Sequence, residues 1–477
     1  MTSRTAALAL LALALILGVG LRFYRLGTAD LSADEAASWA GAAAPDLRTV
    51  IAVERKLDPG KLALYDAALH GWIGLWGDGA GAMRALSAAL GTIAIALVFA
   101  ATLEFGSGLC GPAEIRKAEF GAAAFAALLA AVNPILVGEA RTVRMYPLLL
   151  VLELLQVICL LRAVSERTPR PGRIASLAGV TAFSALAIAC NFTGALLVAA
   201  EAMWLAWMAL RRRTGRGSGA AAELHLLYPA LALCAGVALL GPSAPMAGRR
   251  SIAVVHAGIL GWSHLRPPWW PLEMLRDATG KAPFLPLLPL AIYGGWRQQR
   301  DGRVSALGFL LWWMLAPVAL VMAISYAITP FEETRYVISS VAAFVILAAI
   351  GLAAIDSARL RIGLLVLLVA LSLDHLRRDF VKPQFVQWRE AVALALAAAP
   401  PGGAYAVIPG YAANAVRYYL PPKLRASVES AEDRCDPGPH VLLLGRDDLL
   451  APAQLAVLRD CDPVVVGRFK LVEVRKR

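Results

Sequence analysis

Charged side chains are scarce in this chain: Asp, Glu, Lys and Arg make up only 17% of its 477 residues, against 59% hydrophobic ones, and the mean hydropathy is +0.63. Such a composition excludes a water-soluble globular domain. Histidine and cysteine are sparse too, six of each, and they show no zinc-like Cys/His spacing. Cys159, Cys190 and Cys234 fall in apolar runs and read as small core residues. No Gly-rich phosphate loop is present, which argues against a soluble nucleotide-sugar substrate. The remaining charge is lopsided, +12 overall. In a membrane protein such a surplus is the arginine bias of one face, so no nucleic-acid partner is expected.

What the chain does have is long apolar runs. Eleven are long enough to span a bilayer, near 5–21, 80–103, 120–137, 147–163, 174–190, 194–210, 223–241, 282–296, 304–325, 337–355 and 362–375. The first lacks a small-x-small cleavage site and reads as an uncleaved anchor. Basic residues crowd the short connections after every second run: Arg116-Lys117, Arg162 to Arg173, Arg211 to Arg216, Arg297 to Arg303, and Arg359 with Arg361. That bias sets the N-terminus in the cytoplasm and turns segments 22–79 and 242–281 outward. Past about residue 375 the character changes. A polar helix at Gln384–Ala399 precedes strand-like runs at Ala404–Ile408, His440–Leu444 and Val464–Val474, with helical stretches near 411–420 and 451–459. The expected fold is therefore an all-α polytopic membrane protein of about eleven transmembrane helices, residues 1–375, with a small extracytoplasmic α/β domain, 376–477. For Cys435 and Cys461 in that domain, a disulfide and two free thiols are equally open.

This topology gathers the polar residues of apolar surroundings on one face. Asp34 and Glu35 follow the first run; Glu139, Arg141, Arg144 and Tyr146 form the turn after the third; Asn191 sits in the turn after the fifth. Glu332, Glu333, Arg335 and Tyr336 precede the tenth. Carboxylates beside arginines at a membrane edge suit a phosphate-bearing lipid, because guanidinium grips phosphate oxygens bidentately and a carboxylate takes a proton or holds a metal. For each residue singly, pairing within the set to satisfy helix ends is the alternative. Asp460-Cys461-Asp462 reads as a loop, Asn191-Phe192-Thr193 as a polar turn or a cavity residue, and the tryptophans of Arg266 to Pro271 as interface anchors. Glu153 and Glu201 are the main charges set inside spans.

The segments LRFYRLGTADLSADEAASWA, LYDAALHGWIGLWGDGAGAMRALSAALGTIAIALVFA, FAALLAAVNPILVGEARTVRMYPLLLVLELL and TPFEETRYVISSVAAFVILAAIGL, in this order, resemble the membrane-embedded C-type (GT-C) glycosyltransferases. The likeness is greatest to their bacterial protein O-mannosyltransferase and aminoarabinose-transferase-like branch. The resemblance implies a multi-pass protein of the bacterial inner membrane, its site and terminal domain periplasmic. It implies a polyprenyl-phosphate sugar donor and a lipid, glycan or protein acceptor. Asp34 falls on the family's catalytic base, and Glu35 beside it orients Asp34, binds a divalent ion or caps the following helix. Arg144 and Arg335 fall on donor phosphate-binding positions, with Arg141 and Lys61 as further candidates. Tyr146, Glu139, Asn191, Tyr336 and Tyr65 are expected around the substrate. Where many relatives carry His-Pro-Pro-Leu-Tyr-Tyr, this chain reads Asp58-Pro59-Gly60-Lys61-Leu62-Ala63-Leu64-Tyr65. The missing His leaves a metal undetermined, with Asp34 and Glu35 as its ligands if there is one. The rivals are a transporter or lipid flippase, which needs ionisable residues at span centres, and an inactive relative acting as an assembly partner.

Overall fold

A computed structural model describes residues 3–57, 62–107, 113–165, 168–211, 265–300, 304–328, 330, 332–381, 387–399, 404–408, 410–430, 440–445, 464–469 and 472–476. Ala- and Leu-rich runs favour helix, the conformation that satisfies its own backbone in hydrocarbon. The chain begins with α1 (Ser3–Phe23) and then lays down three shorter helices, α2 (Ala33–Ala42), α3 (Leu47–Leu57) and α4 (Leu64–Trp76). The bundle continues with α5 (Ala80–Ser107), α6 (Ala113–Val132), α7 (Pro134–Glu139), α8 (Tyr146–Val164), α9 (Arg170–Cys190) and α10 (Gly194–Arg211). After the undescribed 212–264 come α11 (Trp270–Thr279), α12 (Lys281–Arg300), α13 (Val304–Ala327), α14 (Ile338–Ala353) and α15 (Ala358–Val381).

Among the described residues, six helices are long and apolar enough to cross a membrane, and α6 and α10 contribute shorter apolar stretches. The protein is a multi-pass membrane protein. Ten of the expected runs lie on described helices; the seventh, 223–241, lies outside the described residues, as do Lys61, Cys435, Cys461, the 451–459 helix and Asp460–Asp462. The third run is shorter than expected. Asn133 accepts a hydrogen bond from the Leu136 amide at 3.2 Å and Pro134 opens a new helix, so the chain turns at Val132 rather than at 137.

The centre of the bundle is α14, buried almost throughout and packed on α6, α12 and α13. Glycine allows its closest crossing: a Cβ on Gly351 would run into the Leu290 carbonyl of α12. The in-span charges lie buried side by side. Gln156 donates to Glu201 Oε2 at 2.7 Å, with Glu153 buried one turn away.

The terminal part adds α16 (Trp388–Ala398), β1 (Ala404–Ile408), α17 (Ala413–Tyr419), β2 (Val428–Ser430), β3 (His440–Gly445), β4 (Val464–Phe469) and β5 (Val472–Lys476). The five strands run in the order β2-β1-β3-β5-β4. β1 is parallel to β2 and β3, and β5 is antiparallel to β3 and β4. The run expected as one strand over 464–474 is thus a hairpin whose second arm fills the sheet interior. β2 is too short to leave an alternating pattern in the sequence.

Candidate active site

The loop leaving α1 bends back at once, helped by Arg25 at φ 48°, and Ser32 then starts α2 with a capping box. Ser32 Oγ accepts from the Glu35 amide at 3.2 Å, and Glu35 Oε2 accepts from the Ser32 amide at 2.9 Å. Glu35 carries more than a cap. Its Oε1 also takes the Val143 amide at 3.0 Å and Arg84 Nε at 2.7 Å, and Oε2 takes Arg84 Nη2 at 3.0 Å. The carboxylate is fully buried. Arg84 spends its other donors on the carbonyls of Leu26, Ala29 and Asp30, at 2.8–3.0 Å. One buried ion pair therefore joins the 26–30 loop, α2, α5 and the α7–α8 turn. Of the three roles open to Glu35, capping is realised, and its burial also sets the direction of Asp34; its placement as a catalytic residue is corrected, because both oxygens face N–H donors inside the protein. Arg84 escaped the sequence reading, although an arginine one turn into an apolar run was itself a signal.

Locking Glu35 inward turns its neighbour outward. Asp34, at the second position of α2, is about half exposed, and its Oδ2 lies 3.4 Å from Arg335 Nη1. Arg144 approaches from the α7–α8 turn, buried, its Nη1 3.3 Å from the Asp34 carbonyl. Arg335 comes from the 3-10 turn Thr334–Val337 that opens α14. Both guanidinium groups lie over the Tyr146 ring, Arg335 at 5.5 Å and Arg144 at 6.0 Å from its centroid, and Arg335 is 5.9 Å from that of Tyr336. Tyr146 and Tyr336 sit 6.3 Å apart, with Phe192 6.4 Å beyond Tyr336. Glu139 ends α7 beside this group. Loss of hydration pushes its carboxyl up to about 7, against the pull of Arg335 and Arg144, which favour its charged form. Asp34, Arg144, Arg335, Tyr146, Tyr336 and Glu139 thus meet at one end of the bundle.

Three candidates stand elsewhere. Arg141 caps the end of α1: its Nη1 donates to the carbonyls of Leu21, Arg22 and Tyr24 at 2.8–3.2 Å, and its guanidinium lies 4.4 Å from the Phe380 ring. Those bonds hold its Nη1 on the backbone at the end of α1. Asn191 Oδ1 accepts from the backbone and hydroxyl of Thr193, both at 2.9 Å, so it holds the α9–α10 turn. Tyr65 is buried behind the site, its hydroxyl 2.8 Å from Ser87 Oγ, which donates to the Arg144 carbonyl at 3.1 Å. It supports Arg144 from inside instead of lining the pocket.

The terminal part grips the same loop from the far side. The Leu31 amide donates to Tyr419 Oη at 2.8 Å, and the Arg389 amide donates to Asp30 Oδ2 at 2.9 Å while its guanidinium stays 3.3 Å from Oδ1. On α2, Trp39 meets Tyr418 edge-on at 5.1 Å and Arg425 at 4.9 Å.

As for a metal, Glu35 is saturated by N–H donors, Arg335 holds Asp34, and no group of three His, Cys, Asp or Glu gathers among the described residues. The Asp34–Glu35 pair does not suit a cation.

The multi-pass bundle with its terminal sheet shares its overall fold with solved membrane proteins. Among solved structures, ArnT from Cupriavidus metallidurans bound to undecaprenyl phosphate is similar to this chain with a TM-score of 0.62 and 14% identity, over 98% of this chain and 97% of that one. The archaeal oligosaccharyltransferase AglB from Archaeoglobus fulgidus, in complex with an inhibitory peptide and a dolichol-phosphate, gives 0.52 and 12% over 86% of this chain and 63% of that one. No protein-family model and no curated protein matches the sequence. At these identities the likeness is one of fold.

Proposed function

We propose that this protein is a glycosyltransferase that moves a sugar from a polyprenyl-phosphate-linked donor to an acceptor hydroxyl on the outer face of a bacterial inner membrane. One observation carries the reading: Asp34, Arg144 and Arg335 come from segments more than a hundred residues apart yet converge at one end of the bundle. The similarity in fold to proteins solved with undecaprenyl phosphate and dolichol-phosphate supports a lipid-phosphate donor.

At rest, Arg335 and Asp34 hold each other loosely, since 3.4 Å is long for a charge-assisted hydrogen bond. A donor phosphate takes the guanidinium away and frees the carboxylate. Asp34 then removes the proton of the acceptor hydroxyl as its oxygen attacks the anomeric carbon. The bond from that carbon to the phosphate oxygen breaks, and the polyprenyl phosphate leaves with the electron pair. One displacement inverts the configuration. Arg144 and Arg335 stabilise the charge growing on the leaving phosphate from positions fixed in advance by packing on Tyr146. The buried Glu35–Arg84 lock keeps the base aimed outward. No step needs a metal ion at Asp34.

Transfer from a polyprenyl-phosphate sugar to a hydroxyl acceptor, assayed with purified wild type and Asp34→Asn, tests this. Transfer by wild type and its loss in a folded Asp34→Asn protein support the reading; transfer that survives the substitution contradicts it.

A further inference from the structure

A cavity of about 250 Å³ opens at the end of the bundle away from Arg335. It lies where α5, α12 and α14 end and α6 and α13 begin, about 25 Å from Arg335 by the helical rise along α14. At about 30 Å³ per water it would take roughly eight of them, more room than a single ion or bridging water needs. Phe105, Leu310 and Ile350 give it apolar walls, while Arg297, Glu119 and Asp356 bring charge of both signs to its lining. Arg297 is half-buried, and its Nε is sealed from water with no hydrogen-bond partner among the described residues. A charged donor left so beside a cavity calls for a ligand from outside the chain.

The mixture of charges selects that ligand. A simple anion would meet two carboxylates as well as the guanidinium; a simple cation would meet the guanidinium. A zwitterion satisfies both, and the apolar walls add room for hydrocarbon. We propose that this cavity holds the head group of a phosphatidylethanolamine-type lipid from the leaflet facing away from Asp34. Arg297 takes the phosphate, Asp356 and Glu119 take the ammonium, and the first methylenes of the acyl chains lie on Phe105, Leu310 and Ile350. This site is independent of the sugar-transfer reading, and its test involves no transfer.

The test is lipid retention by the full-length protein, purified in detergent and observed by native mass spectrometry with added phosphatidylethanolamine or phosphatidylglycerol. Wild type retains one phosphatidylethanolamine in preference to phosphatidylglycerol. Arg297→Gln loses that retention by about tenfold, the weight of one charge-assisted contact, and Asp356→Asn narrows the preference between the two lipids. Equal retention of both lipids by wild type overturns the proposal, and so does unchanged retention by a folded Arg297→Gln protein. Soluble glycerophosphoethanolamine separates a lipid from a free head group: displacement of the lipid at an equal concentration also overturns it. Should Arg297→Gln not fold, the wild-type preference decides alone.

Discussion

At the residue scale, adjacent carboxylates have opposite fates. Glu35 is sealed against Arg84, and Asp34 is left half in water. The capping box makes that division, and it was legible in Ser32 and Glu35, three residues apart. The Arg84 pairing was not, because sequence spacing says nothing about partners 49 residues distant. Arg141 and Arg144 illustrate the same limit: identical in type and three positions apart, one seals the end of α1 and the other reaches Asp34. Asp34→Asn is expected to lower kcat by about 10²- to 10⁴-fold, the usual weight of a general base. Arg335→Ala is expected to lower it by about 10²- to 10³-fold, as for a lost oxyanion donor. Arg84→Met, which strands a buried carboxylate, is expected to cost about 3–5 kcal/mol of stability; thermal unfolding checks this, and an unchanged midpoint would contradict the lock. Glu139 gives a pH signature. With its carboxyl lifted to about 7, it is neutral below that pH and negative above it, where it repels a phosphate held by the same arginines. Donor KM should therefore rise between about pH 6 and about pH 8, and Glu139→Gln should flatten the profile at the low-pH value.

At the element scale, the loop from Leu26 to Ser32 is the part on which the site hangs. It is held from inside by Arg84 and from outside by Tyr419 and Arg389 of the terminal part. The helix propensities of α16 and α17 were readable; their docking onto α2 was not, since it depends on a tyrosine hydroxyl finding one backbone amide 388 residues away. Tyr419→Phe leaves the Leu31 amide unpaired. Hydrogen exchange at that amide is expected to quicken about five- to tenfold, which corresponds to about 1 kcal/mol. With it, kcat should fall while donor KM holds. Unchanged exchange would show that the terminal part does not steady the loop. The α6–α7 break was legible in Asn133-Pro134, yet an apolar window carries the third span across it, because hydropathy registers burial and not the direction of the chain.

At the scale of the whole molecule, the membrane architecture was almost wholly legible. Bilayer thickness and backbone satisfaction leave few choices to a chain with this many apolar runs, and ten of eleven fall on described helices. Convergence of the site followed from topology once the polar ends were assigned to one face. The sheet of the terminal part was harder, because a three-residue strand and a folded-back hairpin leave no clean period. Everything functional then depends on one gathering of charge at one end of the bundle. The direct measurement is a structure determined with a polyprenyl phosphate bound. The phosphate is expected within hydrogen-bond reach of both Arg144 and Arg335, with the Asp34 carboxylate released from Arg335 and facing the phosphate. A phosphate bound anywhere else, with the Asp34–Arg335 contact intact, would contradict the account.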